Sequence, residues 1–328
     1  MWCRHASFSD VVHRCRTMPI AEQGMLKLKI KLSRLKQHLR HWNKEVFGNL
    51  FHNISQAEIA VQQAEKTYDS NPSDVNLLEM NHKTATYQNI LAAEEDYWKQ
   101  KASCKWMAEG ERNTKYFHSL VKKKRARAGI NLINQDEVAL TIEPKIKDSG
   151  VHFFIDLLKT EGPLNGLDWI AEIIPCIVTE EMGVALCRPV TSEEVKGVVF
   201  DMDANSTAGL DEFNVLFYQQ CWNVIHHDVV DAVEDFMSGM SMPKSFTATS
   251  IVLIPKMKNP DRWGNFRPIS LCNTTNKIIS KLLIEQLKPR LPKLISPNQS
   301  GYIATRQIGD NILLAQEIIH SISSHKSD

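Results

Sequence analysis

Residues 251–306 read IVLIPKMKNPDRWGNFRPISLCNTTNKIISKLLIEQLKPRLPKLISPNQSGYIATR, and the meaning of the whole chain turns on them. An apolar, β-branched run (Ile251, Val252, Leu253, Ile254) stops at Pro255. A polar loop with Asn259-Pro260 and Gly264-Asn265 follows, then a second short run from Ile269 to Leu271, an order that predicts a β-hairpin. Lys256 falls just past the first strand and Arg267 just before the second. Two cations at facing strand ends form a pincer for an anion such as phosphate, Arg as a planar fork and Lys as a point charge. Asn273 is placed to cap a helix whose apolar residues Ile278, Ile279, Leu282, Leu283 and Leu287 recur at three- and four-residue spacing. Pro289 and Pro292 end it.

Taken alone, a Lys and an Arg on a hairpin read first as solvated surface charges. The order of elements argues otherwise. IPK, a Trp-containing loop, FRPISL, a helix with KIISKLL, and PNQSGY followed by Arg306 and Asp310-Asn311 together resemble the finger region of reverse transcriptases from non-LTR, LINE-type retrotransposons, plant elements most closely. The resemblance runs from about Thr191 to the C-terminus. It implies that Lys256 and Arg267 hold the triphosphate of an incoming nucleotide. It also implies that Gln299, Gly301 and Arg306 border the template strand and the nucleotide pocket. Ala304-Thr305 stand where the family usually has Pro-Gly.

The 328 residues, 43% of them hydrophobic, suffice for two domains of a globular protein. The net charge of +1 means that a nucleic-acid partner can be argued only from local clusters. Seven scattered cysteines without a C-x-x-C pair read as free thiols in a reducing compartment, with no zinc site. No apolar run approaches the roughly 20 residues of a membrane span. The expectation is an intracellular protein, nuclear or cytoplasmic.

Residues 1–19 resemble the closing segment of the endonuclease domain that precedes the polymerase in such elements. Within 20–128, Leu28, Leu32, Leu35, Leu39, Trp42 and Val46 alternate steps of four and three. After a one-residue slip, Leu50, Ile54, Ala57, Val61, Ala64 and Tyr68 resume the pattern, predicting one long helix. Asn71-Pro72-Ser73-Asp74 breaks it, and a second helix through Leu78, Ala85, Leu91, Trp98 and Ala102 to about Leu120 completes a long antiparallel hairpin of helices. Its exposed faces are basic. Lys27, Lys31 and Arg34 belong to a stripe opposed by Glu45 alone, and Arg112, Lys115, Lys122, Lys123, Lys124 and Arg125 have no acid among them. Such stripes attract a polyanion through counterion release. The competing reading is a solvated helix face. GERNTKYFHSLVKKKR also resembles the connector between endonuclease and polymerase in plant LINE-type elements. Residues 129–190 show weak periodicity and read as a linker, with a small hairpin near Asn134-Gln135-Asp136 and a short helix from Ile146 to Leu158.

From Thr191 the pattern sharpens. Thr191-Ser192-Glu193-Glu194 is a capping box, and a helix from Phe213 to about Ile225 follows a loop. DMDANSTAGLDEFNVLFYQQCW resembles the family's first conserved block, with Leu210 at a usual Pro and Glu212 at a usual Gly, where the backbone turns tightly. Asp201 and Asp203 are not read as a metal site, because acids ending a helix with no strand before them are more simply solvated. His226 and His227, adjacent on a helix, point about 100° apart and cannot share an ion.

Nucleotidyl transfer by two Mg²⁺ ions needs carboxylates that bridge them. In the family these come from a palm strand beyond the last helix seen here and from a Tyr-x-Asp-Asp hairpin, which this sequence does not contain. The expectation is therefore a mixed α/β, helix-rich chain: a long helical hairpin, then a partial right-hand polymerase finger region with a β-hairpin in residues 191–328. Its partners would be an RNA template, a DNA primer and a missing palm region. It would bind no metal alone and be silent as an enzyme. The alternatives are a non-enzymatic RNA- or DNA-binding helical module and a non-functional retroelement relic.

Overall fold

The computed structural model describes residues 2, 5–102, 114–135, 138–159, 173, 176–304 and 306–324. It is helix-rich with two small antiparallel sheets. Helix α1 (Ala6–Thr17) leads to α2 (Gly24–Val46), which buries Leu28, Leu32, Leu35, Leu39 and Trp42 at the predicted spacing. The single helix expected through Tyr68 is two. Gly48 takes φ +52°, and the Asn49 side chain accepts hydrogen bonds from the Phe51 and His52 amides at 3.1 and 3.3 Å, which starts α3 (Leu50–Ser70) afresh. The one-residue slip in the apolar repeat is thus a turn.

The helical hairpin is formed by α3 and α4 (Asp74–Ala102). On α4 the half-buried row is Leu77, Met80, Thr84, Tyr87 and Leu91, while Leu78 is 68% exposed and Ala85 faces solvent. The expected seam was therefore one residue out at Leu78 and Ala85, while Leu91 and buried Trp98 lie where it placed them. The stretch 103–113, through which the second helix was expected to run to Leu120, lies outside the described residues; α5 (Thr114–Ala128) packs on the basal end of α4 through Trp98 and Val121, flanked by Tyr97 and Leu120.

The main core joins α1 and α2 to α8 (Ser192–Asp201), α9 (Val215–Gln220), α10 (Trp222–Met237) and α12 (Thr274–Leu287). Before α8 comes the short α7 (Glu180–Leu186), and α11 (Lys244–Thr247) precedes the β-hairpin. Thr191 and Glu194 form the expected capping box, and Arg188 together with the Thr191 amide holds the Glu194 carboxyl at about 2. The helix expected from Phe213 to Ile225 divides at Cys221, with Asn214 capping its first part through the Phe217 amide. Each fully buried branched side chain in this core, such as Val195, Ile225, Val229 or Ile278, contributes about 1.5–3 kcal/mol.

Charge fixes the register of α1 and α2 on α10. Asp228 is buried, and its carboxylate accepts from buried Arg16, from Lys31 at 3.0 Å and from Lys27 at 3.2 Å. Burial alone would raise its pKa, but Arg16 and the hydrogen bonds from Lys31 and Lys27 hold it below the ordinary value. One turn on, Asp231 takes a second bond from Lys27 at 3.2 Å. Asp235 accepts from the Met25 amide at 3.0 Å, so a carboxylate from another helix caps α2 where Gln23 makes no side-chain cap. Gly24 permits this: φ is +49°, and a Cβ there would lie 1.7 Å from the Asp235 carboxylate.

Among the described residues no helix is long and apolar enough to cross a membrane. Replacing Asp228 by Asn leaves Arg16, Lys31 and Lys27 without their shared carboxylate, and a loss of about 3–5 kcal/mol in urea-unfolding free energy is expected. A change below about 1 kcal/mol would show that this cluster does not hold α1 and α2 in place.

Candidate functional site

Strands β3 (Ser250–Pro255) and β4 (Phe266–Leu271) form the expected hairpin, but β4 begins earlier than its apolar run suggested. Arg267 therefore lies inside the strand, opposite Ile254. Side chains alternate along a strand, so Ile254, Val252, Arg267 and Ile269 share one face, and Lys256 lies one residue past the end of β3. That face is open: Val252, Ile254 and Ile269 are each between 41% and 46% exposed, and both cations are exposed. Lys256 donates from its amide to Asn265 and from Nζ to the Gly264 carbonyl, each at 2.8 Å, which leaves two ammonium protons for a ligand. Arg267 has no protein partner among the described residues.

The opposite face of this ribbon is anchored. Phe266 and Leu253 pack with Trp263 against Ile133, Ile146 and Phe154. These last three come from β1 (Ile133–Gln135) and α6 (Glu143–Leu158), which with β2 (Val138–Leu140) form a small unit in residues 129–158, where the sequence offered little periodicity. Trp263 donates to Ser149 at 2.8 Å, and the Asn134 amide donates to the Asp261 carbonyl at 2.6 Å. The two Asp261 carboxylate oxygens accept from the Asn134 and Asn265 side chains, both at 3.0 Å. These donors are neutral amides, so Asp261 keeps its charge and offsets one of the cations around it. Lys258 and Arg262, exposed on the same loop, add to Lys256 and Arg267. Sequence reasoning passed over both, although the string KMKNPDR carries the signal.

Gln299, Gly301 and Arg306 sit together in the turn before α14 (Ile308–Ser324). The Arg306 guanidinium donates to the carbonyls of Ser296, Gln299, Pro292 and Ile295 at 2.6 to 3.2 Å, which fastens the turn after α13 (Leu291–Leu294) to the start of α14. Gln299 is exposed and Gly301 half-buried. Asn273 lies at the head of α12 without capping it. Its buried amide accepts from the Asp211 amide at 3.1 Å and donates to the Ser245 carbonyl at 3.0 Å, tying the 209–213 turn to the end of the ribbon.

No protein-family model matches the chain. It is 27% identical over 217 residues to the transposon TX1 uncharacterized 149 kDa protein of Xenopus laevis. The similar region covers 65% of this chain and 16% of that protein, so the chain spans well under a fifth of its relative's length. A transposon relationship agrees with the resemblance carried by residues 191–328.

Within the block resembling the family's first motif, Glu212 adopts φ +69° where the family's usual Gly would turn without strain. Its carboxylate is held by Arg40 at 2.9 Å and Lys36 at 3.2 Å, both from α2. Of the cations assigned to nucleic acid, Lys27 and Lys31 point into the Asp228 cluster and Arg34 is half-buried. Lys122, Lys123 and Lys124 are exposed on α5. Arg112, and the side chains of Lys115 and Arg125, lie outside the described residues. Asp201 pairs with Lys281, and Asp203 accepts from the Asn205 amide at 2.9 Å. Among the described residues no three metal-ligating side chains come together.

Asp211 is the residue in this region that sequence reading missed. Its Oδ1 accepts from the Phe213 amide at 3.1 Å, its Oδ2 is buried without a partner, and burial pushes the carboxyl up to about 6. An unfolded Asp titrates near 3.8, so between about pH 4 and 6 the folded chain keeps a proton that the unfolded chain has released. Stability at this position falls as pH rises through that window and is level above it. Asp211→Asn, which mimics the protonated group, is expected to add about 2 kcal/mol at pH 7.5 and almost nothing at pH 4 in urea unfolding. A variant no more stable than the wild type at pH 7.5 contradicts this.

Proposed function

We propose that this chain is the finger-bearing part of a reverse transcriptase from a LINE-type element, with the ribbon as its nucleotide grip and the basic α5 as a nucleic-acid contact. The observation that carries the reading is the β3–β4 register, which sets Arg267 on the open face opposite Ile254, with Lys256 exposed just past the end of β3. The exposed Val252, Ile254 and Ile269 beside them offer an apolar floor for a sugar or base edge, and the cations attract its phosphates. Similarity to a transposon-encoded protein supports the same assignment.

The donor set for two Mg²⁺ ions does not fit the residues present, since among the described residues no three metal-ligating side chains come together and the sequence lacks Tyr-x-Asp-Asp. No chemical step is assigned to this chain. Its α14 exposes Ile308, Ile312, Leu313, Leu314, Ile318 and Ile319, the kind of surface a palm region would cover. A second reading, a non-enzymatic nucleic-acid-binding module, rests on exposed Lys122, Lys123 and Lys124 alone.

Lys256→Ala and Arg267→Ala are each expected to weaken nucleoside triphosphate binding by about 1–3 kcal/mol in calorimetric titration. Equal binding in wild type and both variants would retire the grip and leave the second reading. In primer extension with Mg²⁺ the purified chain should incorporate nothing, and any extended product would overturn its silence. Filter binding of RNA should weaken steeply with added salt. Absence of binding at low salt would remove the α5 contact.

A further inference from the structure

The segment formed by α3, α4 and α5 separates its charge along its length. In the distal part, residues 50–90, five acids (Glu58, Glu65, Asp69, Asp74, Glu79) stand against Lys66 and Lys83. At the base, α5 brings Lys122, Lys123 and Lys124 among its cations and has no acid between Thr114 and Ala128. Even with Glu94, Glu95 and Asp96 at the end of α4, the base stays positive.

The same segment is short of packing partners. No residue of α3 is buried, and near the tip Val75 is 75% and Leu78 68% exposed, one turn apart on α4. A two-layer helical arm with such residues open to water is an unfinished packing unit. The five distal carboxylates repel a nucleic acid, and they would repel a like-oriented copy of themselves.

We propose that this arm is covered by a second copy of the chain, the two arms lying antiparallel about a two-fold axis. The 21 residues of α3 reach about 30 Å, enough to bring the acidic tip of one arm to the basic α5 at the base of the other. Both contacts are then complementary, and Val75 and Leu78 of each copy gain apolar cover. A two-fold contact closes on itself, so the product is a dimer and not a fibre. A parallel pairing would set acid on acid and base on base. This assembly is independent of the ribbon's role, and a nucleic acid bound at α5 would compete with it.

Sedimentation velocity of the full chain over a concentration series tests it. In low salt the species is expected to move from the 37.4 kDa chain to twice that mass, and to return to the single chain at about 0.5 M salt. The triple variant Glu58→Lys, Glu65→Lys, Asp69→Lys should stay monomeric, as should Lys122→Glu, Lys123→Glu, Lys124→Glu. Mixed in equal amounts, the two variants should dimerise, because both contacts become complementary again. Circular dichroism of each variant confirms that the helices persist. A wild type that stays monomeric in low salt, a dimer that survives either reversal, or a mixture of folded variants that stays monomeric would each overturn the proposal.

Discussion

A single carboxylate, that of Asp228, brings together parts of the chain some 200 residues apart in sequence. It gathers Arg16 from α1 and Lys27 and Lys31 from α2 into an otherwise apolar core. Drawing three cations around one buried acid is costly: Arg16 keeps two buried nitrogens without partners. The cost is offset by the apolar surface that α2 covers on α10, with Leu28, Leu32, Leu35 and Leu39 all buried. The ions set register and the leucines supply the free energy. Asp235 at the head of α2 and Glu212 beside its middle extend the same logic along the helix.

This arrangement gives the ribbon a firm base. The turn at 209–213 is tied to α2 through Glu212 and to the head of α12 through Asn273, and β4 runs directly into α12. The unit in residues 129–158 braces the back of the ribbon through Trp263 and Asp261. One face is thus held from behind while the other, with Arg267, Lys256 and its β-branched floor, stays open. A grip for a flexible polyphosphate benefits from that rigidity, since less freedom is lost on binding.

Local signals were readable in the sequence and distant ones were not. The hairpin, the capping box at Thr191 and Glu194, and the buried row of α2 depend on neighbours within a few residues, and composition declares them. The tight turn at Glu212 was legible only through the resemblance, whose usual Gly stands where the backbone is left-handed. Gly48 was harder, since one Gly after an unbroken apolar repeat looks like a tolerated helix residue until Asn49 is seen to cap α3. The start of the row on α4 was misplaced by one residue because Leu77 and Leu78 are both apolar and periodicity alone cannot choose between them, whereas Leu91 and Trp98 fell on it. Lys27 and Lys31 looked like an outward stripe because their acidic partner lies far along the chain. Asp211 was invisible for a related reason: its shift arises from burial that only the assembled turn creates.

The proposed grip places a polyphosphate on the open face of the ribbon. Backbone amide chemical shifts, followed by NMR while a nucleoside triphosphate is titrated into the full chain, test that placement residue by residue. The largest perturbations are expected from Ile254 to Ile269, centred on Lys256 and Arg267, with α7 and the C-terminal turn of α12 unmoved. Perturbations confined to those helices, or none along the ribbon at saturating nucleotide, would contradict it.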